Sequence, residues 1–120
     1  MFVMTLSEFY SSIDESLDEV LERLRMESRV VKYLKLFLSD PSLAELKEAF
    51  ACDDAHTAFR AAHTLKGVAA NLGLNKLSAS SSELTEDLRP GAFTANSPAL
   101  LEKVESDYNA AVEGIKQLDG

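Results

Sequence analysis

Apolar side chains recur every three to four positions along most of the chain, the spacing that places them on one face of an α-helix. The first such series consists of Ile13, Leu17, Val20, Leu21 and Leu24, with acidic residues on the opposite side of the helix. A second series, rich in leucine and valine, lies between positions 30 and 38. No segment alternates as a strand does. The pattern therefore predicts an all-α chain.

Residues that start or stop helices divide the first half of the chain. Thr5 followed by Glu8 has the spacing of a capping box and predicts a short first helix. The Asp40-Pro41 pair predicts a break or a sharp kink, because proline cannot continue a helix. Ser42 is then placed to cap the next helix.

The same signals divide the second half. Asp53 or Asp54 is placed to cap a helix over residues 55–72, and Gly73 is placed to end it. A further helix starts at residue 75 or 77 and ends near residue 88, before an Arg-Pro-Gly segment. After the loop GAFTANSP, Asn96 or Ser97 caps a last helix.

The connections between these helices are short, which favours antiparallel neighbours. The predicted fold is an all-α, antiparallel up-down four-helix bundle, with short extra helical pieces at the N-terminal side and a break near Pro41. A length of 120 residues fits one helical bundle domain over residues 1–120.

Charge and composition narrow the classes of function. The net charge of -8 argues against nucleic acid as a partner, because phosphate binding needs a basic surface. The chain shows no secretory signal and no run of about 20 apolar residues, so we expect a cytoplasmic protein without a membrane span. Cys52 is the only cysteine, which excludes an intramolecular disulfide; we expect a partly buried structural thiol.

The stretch AAHTLKGVAANLG, residues 61–73, combines good helix formers with a glycine at its centre. A glycine inside a helix costs about 1 kcal/mol relative to alanine. At about 100° per residue, His63 points away from the apolar face of this helix. Its neighbours on the same side are Phe59, Arg60, Lys66, Gly67 and Ala70.

These neighbours suit phosphoryl chemistry. An exposed histidine keeps a neutral ring nitrogen at cell pH, and that nitrogen is a nucleophile. Lys66, three residues on, supplies a cation for the charge of a transferring phosphoryl group. Gly67, four residues on, leaves bare helix surface beside the ring, so that an approaching protein is not obstructed.

Each feature also has an ordinary interpretation. A surface histidine is common, a helical glycine can mark close helix packing, and a lysine can be plain solvated surface. Their position together on one face favours a site. His56, two turns before His63, lacks a following lysine and glycine, and two histidines seven residues apart are a poor metal chelate, so no metal site is expected.

The segment AHTLKGVAANLGL resembles the signature of histidine-containing phosphotransfer (HPt) domains, which runs H-x-L-K-G, then small residues, then L-G. The resemblance covers about residues 13–118. It implies a four-helix bundle that exchanges a phosphoryl group between His63, at Nε2, and the aspartate of a response-regulator receiver domain. It also implies that Lys66 balances the phosphate charge and that Gly67 clears the docking surface.

The resemblance implies further residues around the ring. The family often has a glutamine on the next helix, hydrogen-bonded to the second ring nitrogen; by position this residue is Thr85, with Ser81 or Ser82 as rivals. Arg89, one turn on from Thr85, adds positive charge, as does Arg60. Phe59 and Ala70 belong to the docking patch.

The implied partners are receiver domains and a hybrid histidine kinase. The receiver supplies Mg²⁺ and the aspartate, so this chain needs no cofactor of its own, and no independent catalytic turnover is expected of it. We expect a monomer. Two alternatives stay open: the phosphoacceptor domain of a chemotaxis-type histidine kinase, less favoured because no ATP-binding signature is present, and a non-catalytic helical interaction module.

Overall fold

The computed structural model describes residues 3–118, so positions 1, 2, 119 and 120 of the predicted domain lie outside it. The described residues form no β-strand, only an isolated bridge between Met4 and Leu118. The predicted all-α class is confirmed. In chain order the helices are α1 (Leu6–Ser12), α2 (Leu17–Leu24), α3 (Glu27–Phe37), α4 (Ser42–Ala51), α5 (Ala55–Asn71), α6 (Asn75–Leu88) and α7 (Ser97–Ile115).

Short helices at the N-terminal side, here α1 and α2, were expected from the sequence, but Ile13 does not belong to the helix of Leu17 and Val20: it follows the end of α1, and α2 begins at Leu17. The predicted capping box of α1 is confirmed: Thr5 Oγ1 accepts from the Glu8 amide at 3.1 Å, and the Thr5 amide donates to the Glu8 carboxylate at 2.9 Å. This backbone hydrogen bond lowers the pKa of Glu8. Both ends of the box are satisfied locally, so that α1 can form in seven residues.

The predicted break near Pro41 is also confirmed, because α3 ends at Phe37 and α4 begins at Ser42. The prediction that Ser42 caps α4 is wrong. Pro41 occupies the cap position, and Ser42 is the first helical residue and is buried. Asp40 Oδ1 accepts from the Ser42 amide at 2.8 Å instead, since a short carboxylate reaches an amide two residues ahead.

Helix α5 begins and ends as predicted. The carboxylate of Asp54 accepts from the amide of Thr57 at 3.1 Å and from its hydroxyl at 2.6 Å. These bonds to Thr57 lower the pKa of Asp54. At the other end Gly73 has φ 71°, the left-handed conformation that closes helices and that glycine adopts without strain.

The N-terminal helices cover the carboxyl end of α5. The Tyr10 hydroxyl donates to the carbonyl of Leu72 at 2.6 Å, and Arg23 Nη2 donates to the carbonyls of Ala70 and Asn71 at 2.9 and 3.2 Å. The last carbonyls of a helix have no partner within it, so these bonds satisfy the carbonyls of Asn71 and Leu72, while that of Ala70 also accepts from the Gly73 amide at 3.1 Å. Burial raises the pKa of the Tyr10 hydroxyl above its ordinary value.

Around α5 the long helices pack in chain order. Helix α5 contacts α4 and α6, and α6 contacts α7. The core between them is mostly leucine and alanine, including the fully buried side chains Leu34, Leu46, Leu65, Leu84 and Leu88. Because α5 and α6 carry small residues at their contact, their axes can approach closely, and this pair has the most extensive contact.

A hydrogen-bonded clasp joins α6 to α7. The Asp87 carboxylate accepts from the hydroxyls of Ser97 at 2.5 Å and Thr94 at 2.7 Å, and Ser97 Oγ accepts from the Thr94 amide at 2.9 Å. Asn96 holds the cap position of α7 but makes no side-chain cap bond. The clasp fixes the loop before α7 through Ser97, one residue beyond that cap.

The expectation for Cys52 is wrong. Its thiol is exposed at the end of α4, where Sγ donates to Glu48 Oε1 at 3.3 Å. This hydrogen bond and the charge of Glu48 raise the pKa of the thiol. Across residues 3–118 none of the helices has the length and apolar character needed to cross a membrane.

Close packing of α7 against α1 gives a stability prediction at Gly114. A Cβ placed there would lie 2.7 Å from two ring carbons of Phe9, a fully buried side chain. We expect Gly114→Ala to lower the free energy of unfolding by about 1–3 kcal/mol, measured by urea denaturation. Gly67→Ala is the matched control and should raise stability, since a Cβ there meets nothing within 4 Å. Equal effects of both variants would contradict the packing argument.

Candidate functional site

His63 lies near the middle of α5, and its side chain is exposed. The buried residues of α5 occupy the opposite face and are mostly alanines, so the helix packs tightly on one side only. Asp54 caps one end of this helix, and Tyr10 and Arg23 cover the other. The ring is therefore presented to solvent by a helix whose position is fixed at both ends.

Phe59 lies one turn before His63 and its ring is nearly parallel to the imidazole. The two ring centroids are 6.3 Å apart, with an angle of 9° between the planes. Phe59 is half-buried, so it is held by the core while one face remains near the histidine. An aromatic ring therefore lies beside the imidazole on the helix surface.

The surface on the other side of the ring is open. A Cβ added to Gly67 would meet no atom within 4 Å, and Ala70, one turn further, is exposed. Arg60 is also exposed. The glycine is therefore not required by helix packing, and its presence leaves about one side chain's width of bare backbone next to the imidazole.

Lys66 is half-buried and makes none of the ion pairs found within residues 3–118. Its backbone carbonyl accepts from Ser78 Oγ of α6 at 3.1 Å. This bond ties the turn of α5 that carries the lysine to the neighbouring helix. Because the Lys66 ammonium has no ion-pair partner among these residues, it is available for an anion at the ring.

Helix α6 adds a charged pair that the sequence did not single out. Arg89 Nε donates to Glu86 at 2.6 Å and Nη2 at 3.3 Å, and the guanidinium carbon lies 5.3 Å from the centroid of the Phe59 ring. The hydrogen bond from Arg89 lowers the pKa of Glu86, and the charges of Arg89, Lys66 and a protonated His63 act in the same direction. Glu86 was missed, although its spacing of three from Arg89 is the signal for such a pair.

The sequence model of the Hpt domain matches residues 2–118 of this chain. This chain belongs to the Hpt domain family. Comparisons with curated proteins and with solved structures gave no match. The family result confirms the resemblance seen in the AHTLKGVAANLGL segment, and it brings with it the general role of Hpt domains, histidine phosphotransfer in phosphorelays with receiver domains.

The Hpt domain does not bring Thr85 into hydrogen-bonding contact with His63. The Thr85 side chain is buried, and its hydroxyl donates to the carbonyl of Ser81 at 2.7 Å, one turn back on α6. Threonine is short and bonds its own helix readily, whereas a glutamine would extend beyond it. The two rivals also make no bond to the ring: Ser82 is half-buried, and the buried Ser81 hydroxyl has no partner among residues 3–118. The role of Thr85 beside the ring stays a prediction.

The site of the Hpt domain thus joins two helices around one exposed imidazole. Helix α5 contributes a stacked aromatic ring, an available ammonium group and a bare surface, while α6 contributes a neutralised ion pair. A neutral imidazole nitrogen in such surroundings can attack an electrophile brought by another molecule, and a nearby ammonium stabilises an anionic product.

Proposed function

We propose that this Hpt domain is a relay in a two-component phosphorelay. His63 accepts a phosphoryl group from the aspartate of a response-regulator receiver domain and donates it to another. The observation that supports this best is the exposed His63 ring, with Lys66 three residues on making no ion pair among residues 3–118 and with the open surface over Gly67.

The transfer proposed is a single displacement at phosphorus. The lone pair of Nε2 forms a bond to phosphorus while the bond from phosphorus to the aspartyl oxygen breaks. The aspartate leaves as a carboxylate, and the imidazole becomes a phosphorylated imidazolium that keeps its proton on Nδ1. The reverse displacement returns the group to an aspartate, with no net change of charge in the pair.

The neighbouring side chains have separate tasks in this proposal. Lys66 balances the charge on the phosphoryl oxygens, since an ammonium three residues away lies on the same helix face. Gly67 leaves room for the receiver, and Phe59 and Ala70 meet it as apolar surface. Arg60 keeps this face from sharing the overall negative charge of the chain, and Arg89, paired with Glu86, leaves the α6 side close to neutral.

The partners in the proposal follow from the general role of Hpt domains in phosphorelays. The receiver domain supplies Mg²⁺ and the aspartate, and a hybrid histidine kinase supplies the phosphoryl group upstream. The chain acts as a cytoplasmic monomer without turnover of its own. The up-down antiparallel order of four long helices belongs to the same proposal, and the contacts of α4, α5, α6 and α7 in chain order support it.

The test is to locate the phosphoryl group after transfer. The protein is incubated with Mg²⁺ and receiver domains from the same genome, each phosphorylated by a small-molecule phosphodonor. Trypsin places the two histidines on different peptides, His56 on residues 48–60 and His63 on residues 61–66. We expect acid-labile label on residues 61–66.

Three outcomes would contradict the proposal. Label on residues 48–60 would move the acceptor to His56. No label from any receiver would favour the non-catalytic interaction module. Label from the ATP-binding module of a kinase, but from no receiver, would favour the phosphoacceptor domain of a chemotaxis-type kinase.

A further inference from the structure

The charge pair at the end of α6 lies against the aromatic ring that stacks on the proposed phosphoacceptor. The Arg89 guanidinium is 5.3 Å from the centre of the Phe59 ring, and that ring stacks on His63 with a centroid distance of 6.3 Å. Glu86 is bound to Arg89 through two nitrogens, at 2.6 and 3.3 Å. A carboxylate is thus held on the α6 side of the site, and a protonated His63 is among the charges that lower its pKa.

The Glu86 carboxylate neutralises the charge of Arg89, which would otherwise stabilise a phosphoryl group on His63. Lys66 has no ion-pair partner among the described residues, but Arg89 is already paired with Glu86. A cation engaged by a carboxylate attracts a third, anionic group less than a free cation does. The α6 side of the site therefore offers little net positive charge.

We propose that Glu86 sets the equilibrium of phosphoryl transfer, by making phosphorylated His63 less stable and so favouring the aspartate of the receiver domain. The inference rests on the proposed relay function. A phosphoryl group carries about two negative charges, and the imidazolium formed with it offsets one, so phosphorylated His63 is about one unit more negative beside an ionised carboxylate. The same charges on the receiver lie away from Glu86, so their repulsion acts on one side of the equilibrium only.

Two features define the size of this effect. Arg89 keeps the pKa of Glu86 low, so the carboxylate stays charged at cell pH. Both side chains of the pair are more than half exposed, 58% for Arg89 and 62% for Glu86, so water and salt screen the repulsion. We expect a change of about three- to tenfold in the equilibrium constant at low salt.

The experiment compares Glu86→Gln with wild type and with Glu83→Gln. Glu83 lies one turn earlier on α6 and pairs with Lys103 of α7 at 2.8 Å, so its variant also loses one charge and one ion pair. The equilibrium between phosphorylated receiver and phosphorylated His63 is measured at low and high salt. Glu86→Gln should shift it about three- to tenfold towards His63, with a smaller shift at high salt.

Glu83→Gln should leave that equilibrium near the wild-type value. Glu86→Asp should also stay near wild type, because it keeps the charge. If the role of Glu86 were purely structural, the effects of Glu86→Gln and Glu86→Asp would not follow the charge of the side chain. Arg89→Gln should shift the equilibrium towards the receiver, because it removes the cation and leaves the Glu86 carboxylate unpaired.

The results separate this inference from the relay function itself. If wild type carries no label on His63, the relay function fails. If His63 is labelled but Glu86→Gln and Glu83→Gln behave alike, the role of Glu86 is overturned and the relay stands. A shift of Glu86→Gln towards the receiver, or a shift that salt does not reduce, would equally overturn the role of Glu86.

Discussion

His63→Gln is expected to abolish acid-labile labelling of this Hpt domain by phosphorylated receiver domains. A glutamine amide nitrogen is not a nucleophile, because its lone pair is delocalised into the carbonyl, whereas a neutral imidazole carries a free lone pair. The side chain at this position is exposed, so the fold does not depend on it. We expect the free energy of unfolding to change by no more than about 0.5 kcal/mol.

His56→Gln is the matched control for this variant. His56 is exposed on the same helix, two turns earlier, and the same substitution changes the same chemical group. It should keep the labelling of wild type. Both proteins are compared by urea denaturation and by label released in acid. Persistent label on His63→Gln, or loss of label on His56→Gln with an intact fold, would contradict the assignment of His63.

The second large effect is expected at Gly67. Gly67→Gln should slow transfer from a receiver domain by about 10- to 100-fold, since a displacement of about 1 Å in a reacting pair can cost that much. The glutamine would extend over the open surface beside His63, where a Cβ at position 67 would meet no atom within 4 Å. The fold should persist, because no neighbour has to move.

Two comparisons show whether obstructed docking causes the slower transfer to Gly67→Gln. Gly67→Ala should raise the free energy of unfolding by about 0.5–1 kcal/mol, because alanine favours the helix, and it should retain most of the transfer rate. Labelling of Gly67→Gln by a small-molecule phosphodonor should be near normal, because no protein has to approach. If Gly67→Gln unfolds the protein, the glycine is a packing residue and the access argument is wrong.

Much of the fold could be predicted from interactions between residues close together in the sequence. The capping box at Thr5, the break at Pro41 and the end of α5 at Gly73 each depend on residues within a few positions of one another. Such interactions are encoded by spacing and by backbone preference. The predictions that failed also concern local detail, because Pro41 holds the cap position expected of Ser42, with Asp40 accepting from the Ser42 amide, and Cys52 lies exposed just after the end of α4.

The candidate site likewise has one part that the sequence predicts and one part that depends on how the helices pack. The positions of His63, Lys66 and Gly67 on one exposed face follow from the helical repeat of α5 alone, since residues three and four apart are neighbours on any helix. The placement of Glu86 and Arg89 against Phe59 depends on how α6 packs on α5. That packing is set by small buried side chains whose contacts are distant in sequence, and spacing along one helix carries no information about them.

Sequence periodicity was thus sufficient to show that the helix carrying His63 has a core face and an exposed face. Three-dimensional packing was needed to show what α6 brings to this region: an ion pair between Glu86 and Arg89, placed against the Phe59 ring, and a Thr85 hydroxyl bonded to its own helix. The physical reason is that a hydrogen bond has a reach of about 3 Å. Which side chain of a second helix falls within that reach depends on the distance and rotation between the two axes.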